Sequence, residues 1–191
     1  LAFLGIFLLV LGIIGLIFYV VNSIFLMKLL KNTGHKHPYA AWIPLWNTVT
    51  LFEVGGIRVP WAWAAILFGG GLVSNIDIIG PIVSIAVLIV SILLTIWLAK
   101  GVHAGLGFES NGGIVLAIFL PLIWVIWVAL KSDKTSYNLQ AAVQAGGEYP
   151  LNWFGEGTPY ASFEGAPTYS QPVYTPPAAY APPVNTEPVS N

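Results

Sequence analysis

Residues 1–27 contain no charged side chain. At about 1.5 Å per residue, a helix of that length exceeds the roughly 30 Å hydrocarbon core of a bilayer. The stretch therefore predicts a membrane-spanning helix that tilts or projects. The run is longer than the roughly 7–15 residue apolar core of a signal peptide, and no basic segment precedes it. The rest of the chain agrees with a bilayer as solvent. The chain as a whole is 57% hydrophobic and 8% charged, where soluble domains carry about 25% charged residues. So little charge cannot cover a soluble globule of 191 residues.

Three further apolar runs, 59–73, 81–99 and 113–130, complete an expected set of about four transmembrane helices. The fold class expected is all-α integral membrane, with a membrane domain over 1–131 and a tail over 132–191. Gly69–Gly71 shorten the second span, Pro81 suits the first turn of the third, and Pro121 kinks the fourth. Residues 100–113, rich in glycine, read as a loop in which His103 and Glu109 are solvated. No G-K-[ST] follows a strand there, so a phosphate-binding loop is not expected.

Between the first and second spans lies His35 to Gly56, HKHPYAAWIPLWNTVTLFEVGG. It is too polar to span and too apolar for a free loop. Pro38 and Pro44 break it, and Trp42 and Trp46 suit a membrane–water interface. It reads as an interfacial hinge. His35 and His37 have no Cys, Asp or Glu near them in sequence, so no metal is expected there. They read as solvated or headgroup histidines, with a pH-sensing role as the sharper alternative. Glu53 and Arg58 read as an interfacial charge pair. An ion or proton route is the functional alternative, because charges inside a membrane are costly unless used.

Gly5, Gly12, Gly15, Tyr19 and Asn22 fall at spacings of 7, 3, 4 and 3, which is one helix face. Small residues on a face allow another helix to approach closely. Packing within the chain and docking of another subunit both fit. Trp124 and Trp127 read as helix packing, with a lipid or quinone cage as the alternative.

The cations set an expected topology. Lys28, Lys31, Lys36, Arg58 and Lys100 would lie inside and Lys131 and Lys134 outside, which gives four spans with both termini out. A re-entrant second helix would carry the tail inside instead. The net charge of −1 gives no reason to expect nucleic acid.

The composition changes after Lys131. A short helix is expected at 136–145. From Pro150 the chain has nine prolines, and from Tyr137 six tyrosines. Tyr174-Thr-Pro-Pro-Ala and Tyr180-Ala-Pro-Pro-Val repeat at a period of six. This composition favours extended polyproline II. Trp153, Phe154, Tyr160, Phe163, Tyr169, Tyr174 and Tyr180 are spaced to anchor such a strap on a partner surface.

Four short motifs carry a family resemblance: Met27-Lys28-Leu29-Leu30-Lys31, Ala41-Trp42-Ile43-Pro44-Leu45-Trp46-Asn47, Leu98-Ala99-Lys100 with the glycines to Gly107, and Leu120-Pro121-Leu122. Together they resemble an uncharacterised family of small multi-pass membrane proteins of Gram-positive bacteria, especially actinobacteria. Some members are labelled "large exoprotein" or are joined to signal peptidase. The resemblance covers roughly residues 20–131. It departs at Gly69–Gly71, where a second proline is expected, and after the fourth span. It implies the bacterial plasma membrane and no activity.

No Gly-x-Ser-x-Gly or His-Glu-x-x-His is present, and there is no cysteine. No catalytic residue, cofactor or metal is expected. The function expected is a non-catalytic accessory subunit of a larger bacterial membrane complex, by analogy a respiratory supercomplex, with other membrane subunits and lipids as partners. A small transporter or channel, or a scaffold acting through the tail, is the alternative.

Overall fold

The computed structural model describes residues 2–57, 60–74, 76, 79–108, 110–134, 136–147 and 162–164. The described elements are helical. α1 is Ala2–Asn32, and a 3-10 turn follows at Pro38–Trp42. α2 is Trp46–Val54, α3 Pro60–Val73, α4 Gly80–Gly105, α5 Asn111–Phe119 and α6 Pro121–Lys131. A second 3-10 turn spans Ser132–Lys134, and α7 is Leu139–Gly147. α1 and α4 are each long and apolar enough to cross a membrane.

Packing is concentrated at one end. Leu26, Leu29 and Leu30 of α1, Leu94, Leu98 and Val102 of α4, and Trp124 and Val128 of α6 form one buried core. At the other end residues 3–18 of α1 are exposed throughout. An apolar face without cover is what a lipid-facing helix presents, since lipid replaces water there.

The expected fourth span is the main correction. Residues 113–130 are not one helix. α5 ends at Leu120, where the backbone turns to φ −138° and ψ 63°, and α6 begins at Pro121. Pro121 has no N–H to continue the ladder. The chain then reverses. A Cβ placed on Gly113 would lie 2.9 Å from the Trp127 ring, whereas 14 residues of straight helix would separate them by about 21 Å. Phe119 and Leu120 form the exposed tip. A plain proline kink was expected; the outcome is a helical hairpin whose two ends lie together. Lys28 and Asp133 are consequently 2.6 Å apart, and Asn32 Nδ2 donates to Ser132 Oγ at 2.9 Å. The chain beyond Lys131 starts at the same end as Lys28, opposite to the four-span arrangement.

α4 is longer than expected and takes in Lys100 to Gly105. Its glycines serve close approach: a Cβ on Gly101 would lie 1.8 Å from the Gly55 carbonyl oxygen. Ser84, Ser91 and Thr95 donate to the carbonyls of Gly80, Val87 and Ser91. These hydroxyls are satisfied within α4 rather than across to another helix. The short helix expected at 136–145 starts later, at Leu139, because the Asn138 side chain accepts from the Ala141 N–H.

Candidate functional site

α1 ends in a glycine cap. His35 N–H donates to the Leu30 carbonyl and Gly34 N–H to that of Lys31. This pattern needs a left-handed residue, and Gly34 has φ +73°. Gly56 closes α2 in the same way, at φ +71°. The two caps turn His35 and the end of α2 toward each other, and Glu53 meets His35 there.

His35 is buried, not solvated; it is 4% exposed. Its Nε2 lies 2.8 Å from Glu53 Oε2. Its Nδ1 accepts the His37 backbone N–H at 3.1 Å. A nitrogen that accepts cannot carry a proton, so the imidazole hydrogen sits on Nε2 and is donated to the carboxylate. The other carboxylate oxygen, Oε1, accepts from Ser162 Oγ at 2.9 Å.

Ser162 belongs to the tail, and three tail residues are seated here. Lys36 N–H donates to the Ser162 carbonyl and Glu164 N–H to the Gly34 carbonyl, both at 2.8 Å. Between them His35 and Phe163 form an antiparallel bridge. Phe163 is 4% exposed. Its ring meets His35 edge-on at 5.1 Å and stacks on Tyr137 at 5.8 Å. Tyr137 in turn donates its hydroxyl to the Val54 carbonyl. Burial pushes the Tyr137 phenol above its ordinary range.

The energetics of this clasp are close to balanced. Burying one phenylalanine is worth about 1.5–3 kcal/mol, and each hydrogen bond about 0.5–1.5 kcal/mol net. Fixing each of three backbones costs about 1–2 kcal/mol. The opposing totals differ by only a few kcal/mol.

The trio of Ser162, Glu53 and His35 has the residue types of a hydrolase site but not its wiring. A nucleophile must give its proton to a base. Here the serine donates to the acid, and both histidine nitrogens are engaged. The arrangement fastens two segments together.

A second buried histidine lies nearby in the fold. His103, expected in solvent, is 3% exposed. Trp124 Nε1 donates to its Nε2 at 3.1 Å. An indole nitrogen is only a donor, so His103 is held neutral with its proton on Nδ1. Phe108 and Trp127 pack on its ring at 4.8 and 5.6 Å. Lys131 Nζ sits 4.2 Å from the Phe108 ring and 5.2 Å from that of Trp127, in cation–π geometry. Trp124 and Trp127 thus pack against the chain's own histidine and lysine.

The other sequence candidates fall as follows. A Cβ on Gly5, Gly12 or Gly15 would meet nothing within 4 Å, so among the described residues these three glycines have no packing partner from another element. Tyr19 donates to the Trp42 carbonyl. Asn22 is half-buried. Glu53 has His35 and Ser162 as partners, while Arg58 lies outside the described residues. Phe163 was expected on a partner surface and is seated on its own chain. Trp153, Phe154, Tyr160, Tyr169, Tyr174 and Tyr180 lie outside the described residues, as do Asp77 and Glu109. Among the described residues no three His, Cys, Asp or Glu side chains are grouped as a metal site would need.

His35, Glu53 and Phe163 each stand out in the sequence, but nothing in the sequence joins them. Their separations, 18 residues for His35–Glu53 and 109 for Glu53–Ser162, leave no local motif. Comparisons with protein-family models, curated proteins and solved structures gave no match. The functional reading rests on the chain's own geometry.

Proposed function

We infer that the protein is a non-catalytic membrane subunit that docks through the outer half of α1 and carries its tail on the cytoplasmic side. The observation that carries this reading is the uncovered face of α1. Among the described residues, a Cβ on Gly5, Gly12 or Gly15 would meet nothing from another element within 4 Å, while the opposite end of the same helix is tightly packed. A glycine face that the chain itself leaves open suits close approach by another helix. The titratable groups support the non-catalytic part, since His35, Glu53 and His103 are all held in internal bonds.

The topology goes with it. α1, α3 and α4 cross, and α5–α6 enters and leaves on one side. Lys28 and Lys131 then share a side, and the lysines obey the positive-inside rule without exception among those described. Tyr39, Trp42, Ile43 and Leu45 are exposed on the hinge, as an interfacial segment would have them. The sequence resemblance supports the bacterial plasma membrane as the site, and the partner class proposed is a respiratory assembly.

The test is a mild-detergent pull-down through a tag on the full chain, followed by mass spectrometry and a visible absorption spectrum. Co-purifying membrane subunits with haem bands are expected. Recovery of this chain alone, without stoichiometric partners, rejects the subunit reading. Colourless partners reject only the respiratory class.

A further inference from the structure

We propose that loop 34–36, Glu53 and Tyr137 form a strand-addition site for a short extended segment, and that residues 162–164 are its releasable resident ligand. The site reads the segment in three ways. The backbone of loop 34–36 exchanges two hydrogen bonds with it, one at each end of the tripeptide. The gap between His35 and Tyr137 takes an aromatic ring. The free oxygen of the Glu53 carboxylate takes a hydroxyl one residue earlier. Backbone pairing supplies adhesion and the alternating side chains supply selectivity, as in other strand-addition recognition.

The site is built independently of its ligand. Gly34 is set by the cap of α1, Glu53 is already bonded to His35, and Tyr137 is held by the Val54 carbonyl. Withdrawing residues 162–164 leaves each of these interactions in place. The clasp contributes one buried side chain and three hydrogen bonds, so its closed form is favoured over the open one by no more than a few kcal/mol. Opening frees the tail and uncovers an aromatic slot beside the membrane end of α1. The inference does not depend on the subunit reading, because it concerns only what this slot binds.

The test uses the full chain in nanodiscs and a fluorescent peptide spanning residues 158–168. The resident segment competes at the high local concentration of a tethered ligand. Phe163→Ala empties the slot, and Ser162→Asp sets a second carboxylate against Glu53 and opens the clasp with the aromatic retained. Both variants should bind the peptide at least tenfold more tightly than the unaltered chain. Adding Glu53→Gln to either should weaken that binding, and a peptide with alanine at position 163 should not bind. Thermal unfolding of each variant confirms that it is folded, and the two variants provide separate routes to an open slot. No binding to either folded variant overturns the proposal. Equal binding to every form, Glu53→Gln included, overturns it too, by placing the peptide elsewhere.

Discussion

Lys28 Nζ lies 2.6 Å from the Asp133 carboxylate, which joins the end of α1 to the residues just after α6. Both side chains are partly exposed, so the pair itself is worth no more than about 1 kcal/mol. Its value is positional. It ties residues 28 and 133 to one end of the molecule and requires the chain to reverse between α5 and α6.

That reversal predicts a labelling pattern. The chain has no cysteine, so single cysteines at Lys31 and Lys131 can be read without background. A membrane-impermeant maleimide should reach both from the same side of sealed vesicles. Labelling from opposite sides would restore the four-span arrangement.

Gly101→Ala should be among the most damaging single substitutions. Its methyl group would overlap the Gly55 carbonyl oxygen, with no flexible side chain to yield. Overpacking of this kind costs about 1–3 kcal/mol or more. Gly12→Ala, with nothing within 4 Å, should leave thermal stability of the isolated protein unchanged. Similar melting temperatures for the two would refute the close α2–α4 contact.

Trp124→Phe keeps most of the buried ring but removes the donor to His103 Nε2. A buried acceptor left unsatisfied costs about 1–3 kcal/mol. The double variant Trp124→Phe, His103→Phe should recover part of that loss, because neither partner is then orphaned. Equal destabilisation in single and double variants would argue against the bond.

Tyr137 predicts a pH dependence. Its phenol titrates above the ordinary value of 10.0 in the folded chain. The folded state therefore holds its proton while the unfolded state releases one. Stability from this group is full below pH about 10 and falls as pH rises above it. Tyr137→Phe should flatten the alkaline limb of the stability profile, at the cost of the bond to Val54. An unchanged alkaline limb would remove Tyr137 from the account.

Glu53→Gln weakens two bonds to a charged acceptor at once, each of a class worth about 1.5–3 kcal/mol. The Ser162 bond belongs to the clasp, so its share of the loss stops near the clasp's own stability, whereas the share from the His35 bond is felt whether the clasp is open or closed; chymotryptic cleavage after Phe163 should accelerate. Unaltered cleavage would mean that Glu53 does not hold the tail.

Composition and periodicity made two helices of membrane-spanning length and apolarity, α1 and α4, the short α3 and the break at Pro121 legible. They could not distinguish a kink from a reversal at Pro121, because both begin with the same missing N–H. The deciding contacts are Asn32–Ser132, 100 residues apart, and Gly113–Trp127, which a straight or gently kinked helix would hold apart. Gly101 looked like a loop residue for a related reason. A glycine that permits close packing and one that permits a turn are the same letter, and only the neighbour at Gly55 tells them apart. His35 and His103 were assigned to solvent since each one's partner is supplied by a different helix.

The bond from Asn32 to Ser132 spans 100 residues. At synthesis rates of about 5–20 residues per second, the end of α1 exists for roughly 5–20 s before its partners are made. Throughout that interval the Asn32 side chain has neither Ser132 nor Asp133 to bond. The end of α1 is therefore fastened by a part of the chain made well after it.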